Sequence, residues 1–145
     1  MAGAAGGRPG PRRPGARHGY GLAADAGAAW VLSGTDPSGS ERDRTGRLWR
    51  LDQRTGKVTA ATPLPDLAPS QAVGPVIGGG AVWLGGPHSG GLHDSGILVR
   101  VDPGSGRVAG WLRGPGWLVQ DVLAAGPREL WAATAGPELL DVVPA

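Results

Sequence analysis

The chain has 145 residues, enough for one ordinary domain, and contains 28 Gly and 14 Pro but no Cys and no Phe. Without cysteine, disulfides, thiolate metal sites and a cysteine nucleophile are excluded. The formal net charge is +2, but residues 1–24 hold four Arg and no acid, so the rest carries 14 − 4 = 10 basic against 12 acidic residues, a net of −2. The body therefore shows no basic surface for specific nucleic-acid binding.

Residues 1–19 are rich in Arg, Gly and Pro and lack apolar periodicity, so we expect a disordered N-terminal tail. Arg12 and Arg13 are not followed by an apolar segment, so no signal peptide is predicted. No stretch approaches about 18 apolar residues, so no membrane span is predicted. The sequence does not determine the cellular compartment. We expect a cytoplasmic location by default for this reading frame, and an extracytoplasmic one if the true start lies upstream.

From residue 20 onward, short runs alternate apolar with polar side chains and are separated by Gly, Pro, Asp and Ser, which is typical of β-strands. A proline-rich connector at 63–69 cannot be a central strand. The predicted strands are residues 20–24, 28–32, 47–52, 57–61, 71–77, 81–84, 97–102, 107–112, 117–124, 129–134 and 138–143.

The strongest local signal is a motif that occurs twice, Arg-apolar-Asp-x-x-Ser/Thr-Gly-Lys/Arg-Val, at 50–58 and at 100–108. Each copy lies between two predicted strands and indicates a β-hairpin turn. The Asp caps backbone N–H groups two and three residues on, and the Gly supplies a positive φ. Residues Trp30, Trp83 and Trp131 recur 53 and 48 residues apart. The predicted repeats are residues 20–66, 70–114 and 117–145.

A period near fifty residues with four short strands per unit is typical of β-propeller blades. We therefore predict an all-β fold of antiparallel, four-stranded, blade-like repeats over residues 20–145, forming an incomplete β-propeller. A β-sandwich is the alternative, although it does not explain why the hairpin motif recurs in register. A helical repeat needs apolar residues three and four apart, and only 117–124 fits that pattern.

The two motif copies, each preceded by a Gly/Ala-x-Trp strand, resemble the repeats of YVTN-type and PQQ-like β-propeller proteins. The resemblance covers about residues 20–143 and implies the propeller fold. It says little about function, because that architecture hosts binding scaffolds, lactonases, lyases and quinoproteins. The chain departs from the family in number, with about two and a half units where closure takes four to eight blades. The quinoprotein-type repeat also tends to place a Trp three residues after its Gly-Lys pair, and neither motif copy of this chain has a Trp at that position.

No catalytic, cofactor-binding or metal site is predicted. His88, His93 and Asp94 share a Gly-rich loop, but the matching loop of the first repeat has no His, so we favour a solvated loop over a metal site. No Ser lies in a Gly-x-Ser-x-Gly elbow, and the Gly run at 78–80 lacks the Lys-Ser/Thr of a phosphate loop.

The tryptophans fall into two groups. Trp30, Trp83 and Trp131 share one repeat position and are expected to be packing groups. Trp49 and Trp117 break the repeat and are the better candidates for exposed contacts.

Three functions remain open. The leading one is a non-catalytic structural or protein-interaction scaffold, because two and a half blades leave edges uncovered for a protein partner or for self-association. The alternative is a fragment of a lactonase-like or quinoprotein-like enzyme; this needs carboxylates with Asn or His around a channel, and the chain has no Asn. The third is a piece of a longer gene without independent function. No cofactor is expected.

Overall fold

The structure, a computed structural model, describes residues 18–34, 46–65, 67, 69, 72–87, 95–115, 122–133 and 139–142. Over these residues the chain forms eleven β-strands and no α-helix, so the all-β prediction is confirmed. The strands are β1 His18–Ala24, β2 Ala28–Gly34, β3 Gly46–Asp52, β4 Val58–Leu64, β5 Val73–Gly78, β6 Ala81–Pro87, β7 Ser95–Val101, β8 Val108–Pro115, β9 Val122–Ala125, β10 Leu130–Ala133 and β11 Leu139–Val142.

The strands form three antiparallel sheets in which each strand pairs with its neighbour in sequence. Sheet 1 has the order β1-β2-β3-β4, sheet 2 the order β5-β6-β7-β8, and sheet 3 the order β9-β10-β11. None of these sheets closes into a barrel within the described part of the chain. The four-stranded antiparallel units expected for the first two repeats are therefore present.

Most strand boundaries agree with the predicted ranges to within two residues. β4, β6 and β8 each end three residues later than predicted, and β4 thereby includes Pro63 and Leu64 of the predicted connector, which an edge strand tolerates. Two further differences concern strand starts. β1 begins at His18, inside the segment expected to be a tail, and residues 1–17 lie outside the described residues. β9 begins at Val122, while the earlier part of its predicted range, 117–121, also lies outside them.

Two apolar clusters join the sheets. Residues at alternate strand positions point to opposite faces, so one strand can contribute to both clusters. In β6, Val82 and Leu84 face sheet 1 whereas Ala81 and Trp83 face sheet 3, which explains why this strand is apolar throughout. The cluster between sheets 1 and 2 contains Ala28, Trp30, Leu32, Leu48, Leu64, Leu67, Val82, Leu84, Ile97, Val99 and Val101. The cluster between sheets 2 and 3 contains Ala81, Trp83, Leu98 and Leu130.

The first strands of successive sheets lie next to each other, β1 against β5 and β5 against β9. β1 approaches β5 closely at Gly21, where a Cβ atom would clash with the carbonyl oxygen of Gly74. Only glycine allows backbones to approach so closely. The three sheets are thus stacked in chain order, with their first strands at one edge of the stack.

Candidate interaction surface

The two hairpin turns have the capped geometry that the sequence predicts. The carboxylate Oδ1 of Asp52 accepts hydrogen bonds from the backbone N–H of Thr55 at 2.7 Å and from its hydroxyl at 2.8 Å. Asp102 accepts the same pair from Ser105, both at 2.7 Å. The N–H three residues after each Asp is therefore capped, and the Ser/Thr of the motif adds a second donor.

These hydrogen bonds favour the charged form of each carboxyl group. The hydroxyl of Thr55, followed by its backbone N–H, lowers the pKa of Asp52. The backbone N–H of Ser105, followed by its hydroxyl, lowers the pKa of Asp102. Neither carboxyl group is buried, so the lowered pKa values reflect turn capping.

The glycines that close the turns have the same conformation but different surroundings. Gly56 has φ of 68° and Gly106 has φ of 71°, so both need the positive φ that the motif predicts. Gly56 is exposed, with nothing within 4 Å of the position of a Cβ. Gly106 is buried, and a Cβ there would lie 2.6 Å from the Cβ of Ala60 in sheet 1. The second hairpin is therefore packed against the preceding sheet, and the first is open.

Sheet 1 holds the second hairpin through three residues, Arg50, Ala60 and Thr62, which we call the sheet 1 cradle. The Nε of Arg50 donates a hydrogen bond of 3.1 Å to the carbonyl oxygen of Pro103. The hydroxyl of Thr62 donates to the carbonyl oxygen of Gly106. Polar contacts to the turn backbone thus add to the apolar packing between sheets 1 and 2.

Sheet 2 carries the same three positions, occupied by Arg100, Gly110 and Leu112, which we call the sheet 2 cradle. The strand registers establish the equivalence, because β3 pairs with β4 and β7 pairs with β8 at matching positions. The Nε of Arg100 is buried and has no hydrogen-bond partner. Nothing lies within 4 Å of a Cβ at Gly110, and Leu112 is 46% exposed. In the described part of the chain, no backbone carbonyl contacts Arg100 in the way that the Pro103 carbonyl contacts Arg50.

Two of the three repeated tryptophans are core residues, as predicted. Trp30 is buried between sheets 1 and 2, and Trp83 is buried between sheets 2 and 3. The prediction is wrong for Trp131, which is 40% exposed. The face of each sheet that carries this Trp packs on the next sheet, and no sheet follows sheet 3 among the described residues.

Each buried tryptophan also lies under an arginine of its own sheet. The guanidinium carbon of Arg50 is 5.7 Å from the ring centre of Trp30, and that of Arg100 is 5.9 Å from the ring centre of Trp83. Cation–π contact holds both arginine side chains over the Trp-bearing faces. The guanidinium group of Arg100 therefore has the same position over Trp83 as that of Arg50 has over Trp30.

The face of sheet 1 that points away from sheet 2 is apolar, and we call it the outer face. Its apolar residues form two rows across the four strands, with neighbours set by the strand registers, and Ser33 and Arg47 lie on the same face. No strand among the described residues has a substantial contact with this face, and Leu22 is 70% and Val58 54% exposed. The rows are Leu22, Val31, Trp49 and Ala61, and Ala24, Ala29, Leu51 and Val58.

Trp49 lies at the centre of the outer face and is half-buried. Its indole Nε1 donates a hydrogen bond of 2.7 Å to the hydroxyl of Ser33, and the guanidinium carbon of Arg47 is 5.4 Å from its ring centre. The prediction of exposed contacts therefore holds in part for Trp49. Trp117 lies outside the described residues.

The candidate metal residues His88, His93 and Asp94 also lie outside the described residues. Within the described ranges, no group of three or more His, Cys, Asp or Glu residues is arranged to hold a metal ion. The same ranges contain no helix long and apolar enough to cross a bilayer.

Comparisons with known proteins found no matching family model, no matching curated protein and no matching solved structure. The resemblance to YVTN-type and PQQ-like repeats therefore stays a prediction. The candidate site is defined by the geometry alone: a partly exposed apolar face on sheet 1.

Proposed function

We propose that this chain is a β-propeller repeat module of about two and a half blades that acts as a structural or protein-interaction scaffold. The stacking of the sheets supports the propeller reading, because consecutive meanders pack face to face with their first strands adjacent. Blades around a common axis pack in this way. In this interpretation, sheets 1 and 2 are whole blades and sheet 3 is a partial blade.

The observation that carries the scaffold function is the contrast between equivalent faces of sheets 1 and 2. On sheet 2 this face consists of Val82, Leu84, Val99 and Val101, and all four are fully buried against sheet 1. On sheet 1 the equivalent positions are half-buried and belong to the outer face. Among the described residues, a surface built like a blade-to-blade contact is thus covered only in part on sheet 1.

The open surface favours a protein partner with a flat, apolar, sheet-like face. Contiguous exposed apolar patches on soluble proteins mark interaction sites. Full burial of an exposed aliphatic side chain contributes about 1.5–3 kcal/mol, so covering Leu22 and Val58 gives a substantial driving force. Another blade, from a second copy or from a longer partner, has the required shape.

The experiment is to compare Leu22→Lys with the unchanged chain by gel filtration with light scattering over a range of concentrations. We expect the unchanged chain to self-associate and Leu22→Lys to shift the equilibrium towards monomer, because a charge on the outer face opposes burial. Ala26→Lys is the matched control, since Ala26 is exposed in the turn between β1 and β2. A cooperatively melting monomer at every concentration would contradict self-association through this face.

A further inference from the structure

We draw no further inference here: the strongest candidate, the edge of β8 with the exposed side chains of Trp111 and Leu112 on its two faces, carries no proposal because nothing in the structure shows what covers it.

Discussion

Replacing the two turn glycines separately by alanine measures how strongly the second hairpin is held by the first sheet. Gly56 and Gly106 have nearly the same φ, so the cost of placing a Cβ in the left-handed region is the same at both positions. Only Gly106 faces a neighbour, because its Cβ would lie 2.6 Å from the Cβ of Ala60. The pair therefore separates the conformational cost of the turn from the packing between sheets.

The conformational cost is about 1–2 kcal/mol for a non-glycine residue in the left-handed region. Part of this is offset, by about 0.4–1 kcal/mol, because alanine lowers the entropy of the unfolded chain. We expect Gly56→Ala to lower the free energy of unfolding by about 1 kcal/mol on these terms. Gly106→Ala adds an overpacking cost of about 1–3 kcal/mol, since real Cβ atoms do not approach within 2.6 Å.

The assay is urea denaturation followed by tryptophan fluorescence, at a concentration where the chain is monomeric. Trp30 lies in the cluster between sheets 1 and 2 and reports on their separation. Ala60→Gly provides the rescue, because it removes the atom that the new methyl group would meet. In a double-mutant cycle, Gly106→Ala combined with Ala60→Gly should cost less than the sum of the two single changes.

Equal losses for Gly56→Ala and Gly106→Ala, with no coupling to Ala60→Gly, would refute the reasoning. That result would mean that the second hairpin is as free in solution as the first and that sheet 1 has no cradle. It would also mean that the hydrogen bond from Arg50 to the Pro103 carbonyl does not form in solution.

Three further expectations follow from the same geometry. The pKa values of Asp52 and Asp102 are lowered in the folded state, so turn capping stabilises the fold at pH values above the unfolded pKa of about 3.9. This stabilisation is lost as the pH falls through the folded-state pKa values, so the urea midpoint should fall in acid. It should fall less steeply in the variant in which both Asp residues are replaced by Ala. Thr62→Val should cost about 0.5–1.5 kcal/mol in denaturation, because it removes the hydroxyl that holds the neighbouring turn while keeping the shape. Trp30→Ala should cost about 3–5 kcal/mol, and Trp131→Ala much less in the same assay, because only Trp30 is fully buried; equal costs would contradict the assigned faces.

The sequence by itself determined the local structure. The turn at Asp52 needs only a carboxylate, a backbone N–H three residues on and a residue that accepts positive φ, and all three lie within a five-residue segment. The strands follow from alternation over short runs, and the recurrence of the motif after fifty residues indicates two equivalent sheets. These are short-range relations, so they are readable without knowledge of the fold.

Only the tertiary structure determines whether residues at the same repeat position also have the same surroundings. The sequence places Trp131 with Trp30 and Trp83, and Gly56 with Gly106, but burial depends on whether another sheet lies against that face. The cradle was not predicted either, since Arg50 and Pro103 are distant in sequence and meet only when sheets 1 and 2 stack. A repeat fixes the conformation of each unit, whereas the contacts of a unit depend on its neighbours in space, and those neighbours differ at each end of the stack.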